Sequence, residues 1–109
     1  MPREWTFLIT DILDAINKIQ TYVEGMSAEQ FDPDSRTIDA VVRNFITIGE
    51  AASRVPEAVV DQHREIPWRV MRDMRNFAVH QYWGVETGVL WQTIERDLPP
   101  LVLMMKTLV

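Results

Sequence analysis

The sequence contains no cysteine among its 109 residues, and this absence excludes two ways of stabilising a small protein. Neither a disulfide framework nor a thiolate metal site can hold the chain together, so an ordinary packed core must suffice. A chain of this length can bury one hydrophobic core but not two, which predicts a single domain over residues 1–109. The lack of disulfides also fits the reducing environment of the cytoplasm.

Long apolar runs and positive charge are scarce as well. No run approaches the roughly 18 apolar residues of a membrane span, and acidic residues occur too early in residues 1–14 for a secretory signal. We therefore expect a cytoplasmic protein without a membrane partner. The formal net charge of -5 argues against a protein that coats nucleic acid non-specifically, because that mode of binding needs many phosphate neutralisations. A local basic site is still possible.

Apolar residues recur at the three- and four-residue spacing of amphipathic helices in four long stretches, at residues 5–23, 38–55, 67–82 and 90–108. No segment alternates convincingly with the period of two that is typical of a strand. The sequence therefore predicts an all-α, up-and-down helical bundle of four main helices with one or two short ones.

Capping residues and prolines predict where these helices begin and end. Ser27 and Gln30 have the spacing of a capping box, and Asp34 or Ser35 can cap the second main helix. That helix ends at Pro56, and a shorter helix is expected over residues 56–65. Pro67 is expected in the first turn of the third main helix, where its missing N–H is no loss. A kink is expected at residues 99–100, where two prolines interrupt the fourth.

The stretch 67–82 combines a predicted core face with most of the reactive side chains. The apolar residues expected on its core face are Val70, Met71, Met74, Phe77 and Ala78. At about 100° per residue, a second set, Arg69, Arg72, Asn76 and His80, points away from that face. Between positions 63 and 82 four arginines stand against two acids, so this window carries about +2 within an acidic chain. Earlier in the chain, the small residues Gly49, Ala51 and Ala52 should let a neighbouring helix approach closely.

Four side chains of this stretch form a plausible set for cleaving a phosphodiester without a metal. His80, whose ordinary pKa is nearest neutral pH, can take a proton from a ribose 2′-hydroxyl or give one to the leaving 5′-oxygen. Arg75 can hold the phosphate and stabilise the charge that builds on it. Asn76 lies one helical turn before His80 and could orient the imidazole or a phosphate oxygen. Tyr82 offers a hydroxyl and a stacking surface for a base.

One geometric difficulty accompanies this set. Arg75 and His80 are five residues apart, about 140° around an ideal helix, so their backbones do not share a face. Either Arg75 reaches around, or the helix is distorted, or two copies of the chain meet. Val79, an apolar residue on the face opposite the core, favours a second copy that covers this face and builds a composite cleft across a two-fold axis.

Several segments together resemble the HepT-like branch of the HEPN families. They are residues 48–55 (IGEAASRV), 65–68 (EIPW), 74–82 (MRNFAVHQY), Val85 and residues 97–101 (DLPPL). The Arg-x-x-x-x-His pattern alone would be a weak signal, but these segments in this order are specific. The likeness extends from about Ile38 to Leu101.

The resemblance implies a helical homodimer that acts as a metal-independent ribonuclease, the toxin of a toxin–antitoxin module. Its RNA substrate would be cleaved by Arg75 and His80 as the catalytic pair, with Asn76 as the polar companion of the arginine and no cofactor. The implied partner is a minimal nucleotidyltransferase that silences the toxin by attaching AMP to Tyr82. Glu50, in the Ile-Gly-Glu segment, would be near the cleft or serve as a paired structural acid.

Other interpretations stay open beside this one. HEPN domains also serve as non-catalytic helical modules that partner a nucleotidyltransferase or present substrate to it, with the motif as a docking surface. His63 lacks neighbours at metal-ligand spacing and is interpreted as structural. The tryptophans are interpreted as core and interface anchors, with Trp83 a possible stacking surface. A last group is interpreted as solvated or salt-bridged residues that help substrate approach: Arg64, Arg69 and Arg72.

Overall fold

A computed structural model describes residues 4–77 and 87–109, and these ranges form an all-α helical bundle without any strand. The prediction of the fold class is confirmed. The seven α-helices of the described ranges are α1 Thr6–Tyr22, α2 Ala28–Phe31, α3 Ser35–Arg54, α4 Glu57–Gln62, α5 Trp68–Asp73, α6 Thr87–Gln92 and α7 Leu98–Lys106. A 3₁₀ turn, Met74–Asn76, continues α5, and a π turn, Thr93–Asp97, joins α6 to α7.

Helix α3 is the central element of the bundle. It packs against α1 on one side and against α5 and the 3₁₀ turn on another, while α7 packs on α1. The stripes predicted from the sequence are the ones that are buried: Ile9, Ile12, Ile16 and Ile19 of α1, and Val41, Phe45 and Ile48 of α3. Burying side chains of this size stabilises a fold by about 1.5–3 kcal/mol each. None of the described helices has the length and apolar character needed to cross a membrane.

The predicted caps are present. Ser27 Oγ accepts from the Gln30 N–H at 3.2 Å, and Gln30 Oε1 accepts from the Ser27 N–H at 2.9 Å, which completes the capping box of α2. Asp34 caps α3 by accepting from the Thr37 N–H at 3.0 Å and from its hydroxyl at 2.8 Å. The backbone hydrogen bond from Thr37, followed by the hydroxyl bond, lowers the pKa of Asp34 below its ordinary value.

Two expectations for the third main helix are wrong. Pro67 is the N-cap residue of α5 and does not lie in its first turn. Beyond Asp73 the helical stretch continues through the 3₁₀ turn to Phe77, and the rest of the predicted range lies outside the described residues. Val70 is 48% exposed, although the pattern placed it on the core face. The reason is angular: the buried stripe of α5 is centred on Met71, with Trp68 and Met74 about 60° to either side, and Val70 lies about 100° away.

The last helical stretch keeps its predicted phase. The six apolar residues expected on one face are all buried: Leu90, Ile94, Leu98, Leu101, Met105 and Leu108. The chain accommodates Pro99 and Pro100 through the π turn that precedes them, in which the Leu98 N–H donates to the Thr93 carbonyl five residues back. A proline ring collides with the carbonyl four residues before it, and a widened turn relieves that collision.

Candidate active site

The point that positions the candidate site is the crossing of α3 with the 3₁₀ turn at Gly49. A Cβ built on Gly49 would lie 2.6 Å from the Arg75 backbone nitrogen, 2.8 Å from the Arg75 Cβ and 3.0 Å from the Arg72 carbonyl oxygen. Real Cβ atoms do not approach backbone atoms this closely, so only glycine permits the contact. The close approach that the small residues of α3 predicted is therefore present, and it presses the backbone of Arg75 against α3.

The backbone of Arg75 lies at this crossing, and its side chain is exposed. Its Nη1 donates to the Ser53 Oγ at 3.3 Å, and that hydroxyl in turn donates to the Gly49 carbonyl at 2.8 Å. One hydroxyl thus links the guanidinium to the residue that permits the crossing. Arginine has five donors, so the contact with Ser53 orients the group and leaves most of its fork available for an anion.

A second arginine lies one turn earlier on α5. Arg72 Nη2 pairs with the Glu57 carboxylate at 3.3 Å, where Glu57 begins α4. The Arg72 Nε is buried and has no hydrogen-bond partner among the residues that the structure describes. Leaving a buried donor without a partner costs about 1–3 kcal/mol.

An aromatic pair fixes the end of this segment. The rings of Phe45 and Phe77 lie 4.9 Å apart between centroids at 83°, an edge-to-face contact that adds about 0.5–1.5 kcal/mol beyond burial. Phe77 is the last described residue of the range 4–77. Phe77, within the motif at residues 74–82, is therefore held against α3.

The predicted site residues fall into two groups. Arg75 and Asn76 lie together in the 3₁₀ turn with exposed side chains, and Glu50 is exposed one residue after the Gly49 crossing, without an ion pair to any described residue. His80 and Tyr82 lie outside the described residues, as do Val79 and Trp83. The 3₁₀ turn at residues 74–76 departs from α-helical geometry, but at about 120° per residue it does not by itself bring positions 75 and 80 onto one face.

Ser53 is the residue that the sequence did not single out. It belongs to the Ile-Gly-Glu segment, but a serine on an exposed helix face carries no pattern of its own. The signal was its spacing of four residues from Gly49, which puts its hydroxyl on the carbonyl of the glycine that faces Arg75. Sequence alone could pair Ser53 with Gly49 but not with Arg75.

Two other polar regions, around His63 and between α1 and α3, lie apart from Arg75. His63 Nδ1 lies 3.8 Å from the Glu65 carboxylate, and within residues 4–77 and 87–109 no three His, Cys, Asp or Glu side chains converge as a metal site would require. A groove of about 580 Å³ lies between α1 and α3. Its α3 lining includes Ala40, Asn44 and Thr47, which face away from Gly49 and so separate it from Arg75.

Comparison with known proteins agrees with the motif. The profile of a family described as Ribonuclease HepT-like matches residues 12–108. A probable ribonuclease HepT from Thermococcus cleftensis is 39% identical over 101 residues, covering 93% of this chain and 92% of that protein. A putative RNase from Caldanaerobacter subterraneus subsp. tengcongensis is 35% identical over 79 residues, covering 72% and 70%.

A third relative is a longer protein. A gamma-glutamylcyclotransferase and putative RNase from Methanocaldococcus jannaschii is 29% identical over 101 residues, which are 93% of this chain but 46% of that protein. No solved structure gave a significant match.

Proposed function

The chain belongs to the HepT-like ribonuclease family, and from this premise we propose that it cleaves RNA without a metal, through Arg75 and His80. The observation that carries the proposal is the Gly49 crossing, which holds the Arg75 backbone against α3 and directs an exposed, largely unpaired guanidinium outward. A guanidinium held in this way suits the developing charge of a phosphoryl centre.

The proposed reaction is a transesterification. The ribose 2′-oxygen attacks the phosphorus while its proton passes to a base, and the bond from phosphorus to the 5′-oxygen breaks as that oxygen gains a proton. His80 moves these protons, and Arg75 stabilises the charge on the phosphoryl oxygens. Asn76, adjacent to Arg75, orients a phosphate oxygen or the imidazole. The products are a 2′,3′-cyclic phosphate and a free 5′-hydroxyl.

We further propose that the working cleft is composite. Arg75 and His80 are about 140° apart around an ideal helix, and the 3₁₀ turn at Met74–Asn76, which advances by about 120° per residue, does not bring them onto one face. A homodimer in which Val79 of each copy is covered would complete the site. Val79→Glu should then lower both the solution mass and the cleavage rate, and a variant that changed neither would contradict the dimer.

The regulation that we propose is covalent. In the cytoplasm the ribonuclease would act as a toxin, and a nucleotidyltransferase antitoxin would attach AMP to Tyr82. A phosphate two residues from His80 repels the RNA backbone and occupies its space. Mass spectrometry of protein co-expressed with the transferase should find the added AMP on the peptide that contains Tyr82. AMP found only on other peptides would contradict the proposed modification of Tyr82.

Purified protein incubated with single-stranded RNA and a chelator tests the reaction itself. The wild type should produce 2′,3′-cyclic phosphate ends, and His80→Ala should slow cleavage by at least about a hundredfold, the usual contribution of a general acid or base. His63→Ala is the matched control and should cleave at the wild-type rate. Equal cleavage by wild type and His80→Ala would reject the assigned site, and no cleavage by either would favour a non-catalytic binding module.

A further inference from the structure

A groove of about 380 Å³ lies between α4 and α5, and three arginines line it. We call it the α4–α5 groove; its charged lining residues are Arg64, Arg69, Arg72, Glu57 and Asp61. Its floor is well ordered by packing, since the buried Trp68 donates its indole N–H to the His63 carbonyl at 2.9 Å and so closes the connection between the helices. The groove is therefore a fixed concave surface with a small excess of positive charge.

The three arginines differ in how they are paired. Arg64 pairs with Asp61 at 2.8 Å, and Arg72 pairs with Glu57 at 3.3 Å. Arg69 is exposed and forms no ion pair with a described residue. The buried Arg72 Nε also lacks an acceptor among those residues. The groove thus holds one uncommitted guanidinium, that of Arg69, which an anion would stabilise.

The groove adjoins the candidate active site through Arg72, which lines the groove and whose carbonyl oxygen lies beside the Arg75 nitrogen at Gly49. Arg69, Arg72 and Arg75 follow one another at steps of three residues, and their partners run the other way, from Ser53 facing Arg75 to Glu57 facing Arg72. At 1.5 Å per residue, Arg69 lies about 9 Å along the helix from Arg75. Successive phosphates along one strand of B-DNA are about 3.4 Å apart along the helix axis, and on that spacing the distance corresponds to two or three nucleotides.

We propose that the α4–α5 groove binds the backbone phosphates of single-stranded RNA two or three nucleotides from the scissile bond, with Arg69 as the principal contact. This inference rests on the proposed ribonuclease function. RNA is favoured over an acidic protein segment because Arg69, Arg72 and Arg75 follow one another along α5 and the 3₁₀ turn that continues it, from the groove to the candidate catalytic arginine.

The two acids of the groove modulate this binding. Glu57 holds Arg72 in place but competes with a phosphate for its donors, so Glu57→Gln should bind RNA more tightly, by about two- to fivefold. A groove that served only to stabilise the fold would show no such gain. The sign of this effect therefore separates RNA binding from a purely structural ion pair.

The first experiment measures RNA binding without cleavage. Fluorescence anisotropy with a labelled single-stranded RNA, in a His80→Ala background, should show about three- to fivefold weaker binding for Arg69→Gln. The dependence of log K on log salt should become shallower by about 0.7, the value for one lost phosphate contact. Arg36→Gln is the control, because Arg36 is exposed about 25 Å along α3 from Ser53 and should bind as the parent does.

The second experiment locates the contact. Single phosphates of the RNA are replaced in turn by uncharged methylphosphonates; the parent should lose affinity at a position two or three nucleotides from the cleaved bond, and Arg69→Gln should be insensitive there. Equal sensitivity of both proteins at every position would overturn the proposal even if RNA is cleaved normally. If Arg69→Gln weakened only association with a co-expressed partner protein, the groove would be a protein-docking surface and the RNA assignment would be wrong.

Discussion

Within residues 4–77 and 87–109, two helical turns depart from α-helical geometry, and the causes of the two departures differ. The π turn at Thr93–Asp97 precedes Pro99 and Pro100, whose rings and missing N–H groups require it locally. The 3₁₀ turn at Met74–Asn76 contains neither proline nor glycine. It lies where the backbone of Arg75 meets Gly49 of α3, and we infer that this contact with another helix causes it.

This difference separates a structural adjustment from a functional one. The cause of the π turn, the two prolines, is visible in the sequence. The result of that turn is a continuous apolar face from Leu90 to Leu108. A tertiary cause depends on which residues meet, and its result is the placement of Arg75. Changing the contact at Gly49 should therefore affect RNA cleavage strongly, whereas changing the prolines should affect RNA cleavage little.

The largest effect is expected from Gly49→Ala. The new Cβ would lie 2.6 Å from the Arg75 nitrogen, so α3 and the 3₁₀ turn must separate. Overpacking of this kind costs about 1–3 kcal/mol, and a shift of about 1 Å at a reacting group can lower the rate of RNA cleavage about a hundredfold. Thermal denaturation and cleavage below the melting temperature measure the two consequences separately.

Gly88→Ala is the matched control for that variant. A Cβ on Gly88, near the start of α6, meets nothing within 4 Å, and alanine favours a helix over glycine by up to about 1 kcal/mol. Stability should be equal or higher, with unchanged cleavage. A Gly49→Ala protein that cleaved RNA as fast as Gly88→Ala would show that the crossing does not position the active residue.

A smaller effect is expected from Ser53→Ala, which removes the hydroxyl between Arg75 and Gly49. The hydrogen bond is worth about 1 kcal/mol, so kcat should fall about fivefold with little change in stability, and Ser53→Thr should restore it. Thr47→Ala is the control, because the Thr47 hydroxyl donates to the Arg43 carbonyl in the same way but faces away from Arg75. Equal losses in both variants would indicate a general effect on α3.

The smallest effect is expected from replacing Pro99 and Pro100 together by alanine. Replacing the prolines raises the conformational entropy of the unfolded chain, which destabilises the fold, and restores two backbone N–H donors, which stabilises it. The free energy of unfolding in urea should therefore shift by no more than about 1 kcal/mol. RNA cleavage should remain within about twofold of the wild type. A loss of activity as large as that of Gly49→Ala would mean that the two departures are not independent.

Much of the fold followed from the sequence, because its determinants are local. The apolar periodicity of α1 and α3, the Ser27–Gln30 capping box and the Asp34 cap each depend on neighbours within a few residues. The exposure of Val70 could not be predicted, since it depends on how α5 rotates against α3. The link from Arg75 to Ser53 joins residues 22 positions apart and likewise required the tertiary structure.

The candidate site was predicted in part for the same reason. The motif pointed to Arg75 and Asn76, and the small residues of α3 pointed to a close helix crossing, but nothing in the sequence linked the two. The structure links them at Gly49, while His80 and Tyr82 lie outside the described residues and keep the roles that the motif suggests.

The central claim is that the Gly49 crossing holds Arg75 where its guanidinium acts on RNA. Its most direct test compares the initial rates at which Arg75→Ala and Arg36→Ala cleave one labelled single-stranded RNA, after denaturation has shown that both variants are folded. We predict that Arg75→Ala is slower than the wild type by about a hundredfold or more and that Arg36→Ala matches it. Equal rates for the two variants would contradict the claim.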